Sequence, residues 1–262
     1  MLLDENAGPH AAALLVQHRL ETGDSKKVLG LLRDLRDRPE LWREAAMACL
    51  EAAPRFLQWR RANEIRGFIR REKELLSRDN DLWGQTGWAL LSIGDYEPAI
   101  AWIDGWERRE DVEPWMILNQ VVAFTILARL DEAVEVAHRA TALAPDHSHV
   151  MHRVINLFGL AFQGEVERAK ALLAELGHGG LSNDLEFLVR LSRAMLSAEA
   201  GPKGFVEAKR RLRAAAAAAP SYRHETLSTA CFRLAVKRIA RTRGGIGAAI
   251  WSVVSRVLNR AL

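Results

Sequence analysis

The chain has 262 residues, 49% of them apolar and 27% charged, with a formal net charge of +4. This composition suits a folded core and excludes a disordered chain. Two distant cysteines, Cys49 and Cys231, exclude a disulfide framework and a multi-cysteine zinc site, and no apolar run reaches the ~18 residues of a spanning helix.

The N-terminal stretch Met1 to His10 carries Asp4 and Glu5 and no Lys or Arg, the wrong charge for a secretory signal, so a cytoplasmic protein is expected. Beyond it, apolar residues recur with helical period and almost no segment alternates like a strand. Ala214 to Ala219 is a run of high helix propensity. The predicted fold class is therefore all-α. Gly23-Asp24, Gly94-Asp95 and Gly164-Glu165 each read as the end of one helix and the start of the next. Pro39, Pro114, Pro145 and Pro220 read as the ends of second helices. Pro54 falls where a first helix should finish, and the helix after it is expected to run from about Arg55 to Leu76.

A repeat emerges when small residues early in each second helix are aligned. The anchors Val28, Ala62, Ala99, Ala133, Ala169 and Ala208 lie 34, 37, 34, 36 and 39 residues apart. Large apolar residues on the same stripe, such as Ile103, Trp106, Leu173 and Leu212, fill the space between neighbouring units. One helical pair cannot bury both faces, so the pairs must stack. Four segments are expected: divergent repeats over 1–79, clearer repeats over 80–220, a basic capping helix over 221–243, and an amphipathic helix over 244–262. In the capping helix Leu227, Cys231, Leu234, Ala235 and Ile239 share one face, so Cys231 reads as a small buried apolar residue. Cys49, near Met47 and Leu50, reads the same way.

The third unit carries Trp83, Gly87, Leu90, Gly94-Asp95-Tyr96, Ala99-Ile100 and Ile103. The fourth carries Leu130 through Val134, then Ala137, Ala140 and Pro145; the fifth Gly164, Val166, Ala169 and Leu173; the sixth Phe205 through Ala208, then Leu212, Ala215 and Pro220. This pattern resembles the tetratricopeptide repeat, a pair of helices in about 34 residues. In the third unit Thr86, Leu90 and Ile103 replace the Leu, Tyr and Phe of that pattern. The resemblance covers about residues 8–220. It implies a right-handed superhelical solenoid of about six hairpins, with the concave surface lined by the first helix of each pair. The inward positions it implies are Gln85, Trp88 and Leu91, then Trp115, Leu118, Asn119 and Val122, then Met151, Val154, Ile155 and Phe158. Some members of that family clamp a peptide carboxylate with Lys, Arg and Asn. Only Asn119 matches here, so an apolar partner is expected instead.

Five of the eight Trp, namely Trp83, Trp88, Trp102, Trp106 and Trp115, fall within 33 residues. Trp83 and Trp106 read as core. Trp88, Trp102 and Trp115 read as exposed anchors for another protein's helix or apolar peptide.

Charge points to a second surface. Residues 203–262 hold 13 Lys and Arg against Glu207 and Glu225, whereas residues 1–202 hold 24 Lys and Arg against 31 acids. Arg233, Lys237, Arg238, Arg241 and Arg243 form the predicted basic surface, which suits an anionic partner. After the hinge Arg243-Gly244-Gly245-Ile246-Gly247 comes the amphipathic segment. Ile250, Val254, Val257 and Leu258 lie on its apolar arc, Arg256 and Arg260 on the other, and Trp251 at the interface. It suits a cap, a second copy of the chain or an anionic membrane surface, and the last would make the protein peripheral at the inner membrane. A nucleic acid is a weaker partner, because the basic region lacks interleaved aromatics.

Motifs of nucleophilic, phosphate-loop and dinucleotide chemistry are absent. His178-Gly179-Gly180 reads as a helix C-cap rather than an oxyanion loop. Asp146-His147-Ser148-His149 with His152 is the one cluster of metal-ligating residues, at a junction between units where solvated or packed His are ordinary. No catalysis, metal or cofactor is expected. The predicted function is a non-catalytic scaffold or adaptor presenting an apolar-aromatic face and a basic end.

Overall fold

The structure, a computed structural model, describes residues 8–58, 60–176, 181–217 and 225–242. Those residues form helices and connections, with no strand among them. The helices are α1 (Pro9–Glu21), α2 (Ser25–Asp34), α3 (Pro39–Glu51), α4 (Ala53–Gln58), α5 (Ala62–Arg71), α6 (Lys73–Arg78), α7 (Asn80–Ser92), α8 (Tyr96–Ile103), α9 (Pro114–Ile126), α10 (Leu130–Ala140), α11 (His149–Gln163), α12 (Val166–Leu176), α13 (Asn183–Glu199), α14 (Gly201–Ala217) and α15 (Glu225–Arg241). None is long and apolar enough to cross a membrane.

The backbone repeats as the sequence does. Gly23, Arg60, Gly94, Ala128, Gly164 and Gly201 all take positive φ, between 57° and 86°. They lie 37, 34, 34, 36 and 37 residues apart, one at the turn of each helical hairpin. A left-handed residue ends a helix and reverses the chain, and glycine does so without steric cost. Asp24 completes the first of these turns by accepting the Lys27 backbone N–H. Five of the six anchors, Val28, Ala99, Ala133, Ala169 and Ala208, are buried five to seven residues beyond such a turn. In the second unit that place belongs to Ile65, fully buried, rather than to Ala62.

Two expectations about boundaries are corrected. Pro39 and Pro114 do not end second helices; each is the first residue of the next helix, where a missing N–H costs nothing. The helix expected over Arg55 to Leu76 is three, α4, α5 and α6, because Arg60 turns the chain and Glu72 interrupts it. Pro220 and His178-Gly179-Gly180 lie outside the described residues.

The chain divides into two compact units, Met1–Ala123 and Phe124–Leu262, with the division inside α9. The boundary expected at residue 79 lies within the first. In that unit α1 packs on α3 and α3 on α7, the first helices of successive pairs. The Gly84 backbone meets Trp115 and Met116, and Gly87 meets Asn119, so α7 and α9 run parallel in register. Second helices also lie side by side. The Ser25 hydroxyl donates to Glu64 at 2.6 Å and Arg36 faces Glu72 at 3.6 Å, joining α2 to α5 at both ends. The core holds Leu20, Leu32, Cys49, Phe56, Phe68 and Leu82, with Trp42 and Phe68 rings 6.5 Å apart.

In the second unit α11 packs on α13 and α13 on α15. The Gly159 backbone meets Val134, and Gln163 donates to Asp131 at 2.7 Å, so α10 and α11 are antiparallel. This core holds Phe158, Leu188, Met195, Cys231 and Ile239. Both cysteines are fully buried; burial pushes the Cys49 thiol up to about 12 and raises that of Cys231 as well. They act as small apolar side chains.

Candidate partner-binding face

The tryptophan belt sits on α7, α8 and α9. Trp83 is buried, and its indole N–H donates to the Trp102 carbonyl at 3.0 Å. The Trp102 indole N–H donates back to the Trp83 carbonyl at 2.9 Å. The pair ties the two helices of the third hairpin together. Trp102 is half-buried, like Trp88 and Trp115, and its indole N–H is engaged within its own hairpin. Trp106 is buried in the 3₁₀ turn Trp106–Arg108, as its apolar spacing implied.

Two stripes remain on the first helices. Gln85, Trp88 and Leu91 are half-buried on α7, three residues apart, the spacing of one helical face. Trp88 and Leu91 rest against the first core and keep their outer edges in solvent. Trp115, Leu118 and Val122 are half-buried on α9. Trp115 packs on the Gly84 backbone and donates its N–H to Glu113 at 2.7 Å. Because α7 has glycine at 84, α9 approaches closely and brings the two stripes beside each other, while Gly87 admits Ile103 of α8. The result is an apolar face carrying two large aromatic rings in the first unit.

Four predicted inward residues, Asn119, Val154, Ile155 and Phe158, are corrected: they are buried. Asn119 is 5% exposed, and its amide donates to the carbonyls of Gly84 at 3.2 Å and Met116 at 3.1 Å. It fastens α9 to α7 and has no free edge for a peptide carboxylate. Phe158 is fully buried in the second core, and Val154 and Ile155 with it. Met151 is half-buried on α11 in the second unit, where it packs against that core.

The basic surface divides. Arg233, Lys237 and Arg241 are exposed at four-residue spacing on one face of α15, with no carboxylate within ion-pair distance among the described residues. Arg238 is corrected: it points the other way, pairs with Glu199 on α13 at 2.6 Å, and lays its guanidinium over Gly164. Arg243 and the predicted amphipathic helix, with Ile250, Trp251, Val254, Arg256, Val257, Leu258 and Arg260, lie outside the described residues.

At the histidine cluster, Asp146 accepts from the backbone N–H and hydroxyl of Ser148, at 2.8 and 2.7 Å. His147 is exposed, His149 half-buried and His152 fully buried in the helix face. Among the described residues no group of three His, Cys, Asp or Glu is placed to hold a metal.

Residues passed over in the sequence organise this region. Arg109 lies 4.5 Å over the Trp83 ring and donates to Asn80 Oδ1 and the Ser77 carbonyl. Arg43 on α3 reaches Asp79 at 2.7 Å and Asp81 at 2.6 Å, holding α3 to the start of α7. Neither belongs to a local motif, since each partner lies about one repeat away. The chain matches no family model, no curated protein and no solved structure.

Proposed function

We propose that the protein is a non-catalytic scaffold of the tetratricopeptide-repeat type, built as a superhelical stack, and that it binds another protein on the face of α7 and α9. The observation that carries this reading is the pair of half-exposed apolar stripes, Trp88 and Leu91 beside Trp115, Leu118 and Val122. The six hairpin turns at near-constant spacing support the stacked arrangement. Parallel first helices present side chains in rows, and an apolar helix or extended segment of a partner buries those rows from water. Trp anchors supply most of the binding energy in such interfaces, each costing about 2 kcal/mol or more when truncated.

Site-specific photo-crosslinking in the native cell tests this. A benzoylphenylalanine at position 91 or 118 is expected to capture one dominant protein, and the same probe at exposed Leu57 on α4 is not. Trp88→Ala is expected to remove the adduct. Equal capture from all three positions, or none from 91 and 118, would overturn the reading.

A second reading rests on the exposed row Arg233, Lys237 and Arg241. It recruits an anionic surface, lipid or nucleic acid, to the basic end. Binding of this kind weakens steeply with added salt, because phosphate contacts release counterions. Replacing all three by Gln is expected to abolish it and leave the crosslink at position 118 intact.

A further inference from the structure

A cleft of about 580 Å³ opens on the other side of the third hairpin, between α5–α6 and α8. Its floor is Trp83 and Leu90 of α7, and Trp102 forms part of the wall. The opening exists because α8 stops after eight residues, where Asp104 and left-handed Gly105 turn the chain into the 3₁₀ segment.

Four cations line it: Arg66, Arg70, Lys73 and Arg109. Arg66 is neutralised by Asp95 through two bonds of 2.6 Å. Among the described residues the other three have no carboxylate within ion-pair distance. Asp104, exposed at the rim, is the remaining acid of the lining. Arg109 is the informative one. Its Nε and Nη2 are held by Asn80 and Ser77 and its plane lies over Trp83, so the guanidinium is fixed before any ligand arrives. Burial acts against its charged form and lowers its pKa. A half-buried charge without a counterion is costly, and a fixed guanidinium suits phosphate oxygens.

We propose that this cleft binds a small phosphate-bearing molecule, with Arg109 as the fixed donor and Arg70 and Lys73 as mobile cations that close over the phosphate. The volume lies within the range of small-molecule sites, about 300–1,000 Å³. Three unpaired cations exceed what one carboxylate neutralises and match a phosphate or diphosphate. The site is separate from the α7–α9 face and stands without that reading.

The experiment is calorimetric titration of the full-length protein with inorganic pyrophosphate at low salt. Saturable one-to-one binding is expected, with the ¹⁵N indole signal of Trp102 shifting in parallel. Arg70→Gln with Lys73→Gln is expected to weaken binding about tenfold or more, as is Arg109→Gln. Arg70 and Lys73 are exposed and make no ion pair among the described residues, so that double variant keeps the fold if Arg109→Gln does not. Lys26→Gln with Lys203→Gln, exposed on α2 and α14 and outside the cleft lining, is expected to change nothing. The proposal is overturned if pyrophosphate does not saturate, if the cleft variants bind as wild type does, or if a hexaglutamate peptide binds more tightly than pyrophosphate.

Discussion

Single residues carry the repeat. Ala128 does at its hairpin what glycine does at four others, with φ of 62°. A Cβ in the left-handed region costs about 1 kcal/mol, so Ala128→Gly is expected to stabilise the protein by roughly that amount in urea unfolding. Glycines inside helices separate by what lies above them. A Cβ on Gly84 would meet Met116 at 2.7 Å and Trp115 at 2.8 Å, whereas one on Gly30 in α2 meets nothing within 4 Å. Gly84→Ala is expected to cost about 1–3 kcal/mol from overpacking. Gly30→Ala is expected to gain up to about 1 kcal/mol from helix propensity. A gain at both positions would remove the close approach of α9 to α7. Asp79 shows how one carboxylate serves two helices: it caps α7 through the Leu82 N–H at 2.9 Å and pairs with Arg43. Burial raises its pKa, but the hydrogen bonds from Arg43 and Leu82 outweigh this and hold it below 3.8. A depressed carboxylate stabilises the fold above its unfolded pKa and loses that contribution as pH falls through the folded value. Asp79→Asn is therefore expected to be less stable than wild type at neutral pH, with the gap closing below about pH 4.

At the scale of elements, side-chain hydrogen bonds join each hairpin and its neighbour. The reciprocal Trp83 and Trp102 bonds fix α8, a helix too short to hold itself in water. Trp102→Phe keeps most of the ring and removes one donor, so a loss of about 1 kcal/mol is expected in circular-dichroism melts. On α15 the same logic separates like residues. Arg238→Ala breaks the pair with Glu199 and uncovers Gly164, and is expected to destabilise the fold measurably. Arg233→Ala, Lys237→Ala and Arg241→Ala lie on the exposed face and are expected to stay within about 0.5 kcal/mol of wild type.

For the molecule as a whole, many side-chain bonds between neighbouring pairs span 29 to 39 residues, close to one repeat, as with Arg66 to Asp95 and Arg61 to Ser25. Stability in such an array is a sum of local terms and nearest-neighbour interfaces. Hydrogen exchange in Gly84→Ala is expected to quicken in α3, α7, α8 and α9 and to leave α13 to α15 unchanged. Uniform acceleration along the chain would show a single cooperative unit instead. The charge asymmetry is also a property of the whole: some acidic residues of the first 202 positions are engaged in ion pairs such as Arg43 with Asp79, while Arg233, Lys237 and Arg241 on α15 meet no carboxylate within ion-pair distance among the described residues.

The sequence by itself determined the all-helical class and the near-34-residue period, because helix propensity, apolar spacing and glycine at a turn are local properties. It also marked Trp83, Trp106, Cys49 and Cys231 as core. Only the tertiary structure decided which first-helix residues keep an exposed edge. Gln85, Trp88 and Leu118 do, whereas Asn119 and Phe158 do not, since the partners that cover them come from other helices. The same holds for Arg60 and Ala128, whose positive φ is imposed by the hairpins they close rather than by their own side chains. Arg109 and Arg238 make the point for charge. Identical side chains in one sequence become a fixed donor beside a cleft and a strut between two helices, because burial and the nearest carboxylate are set by packing across a repeat.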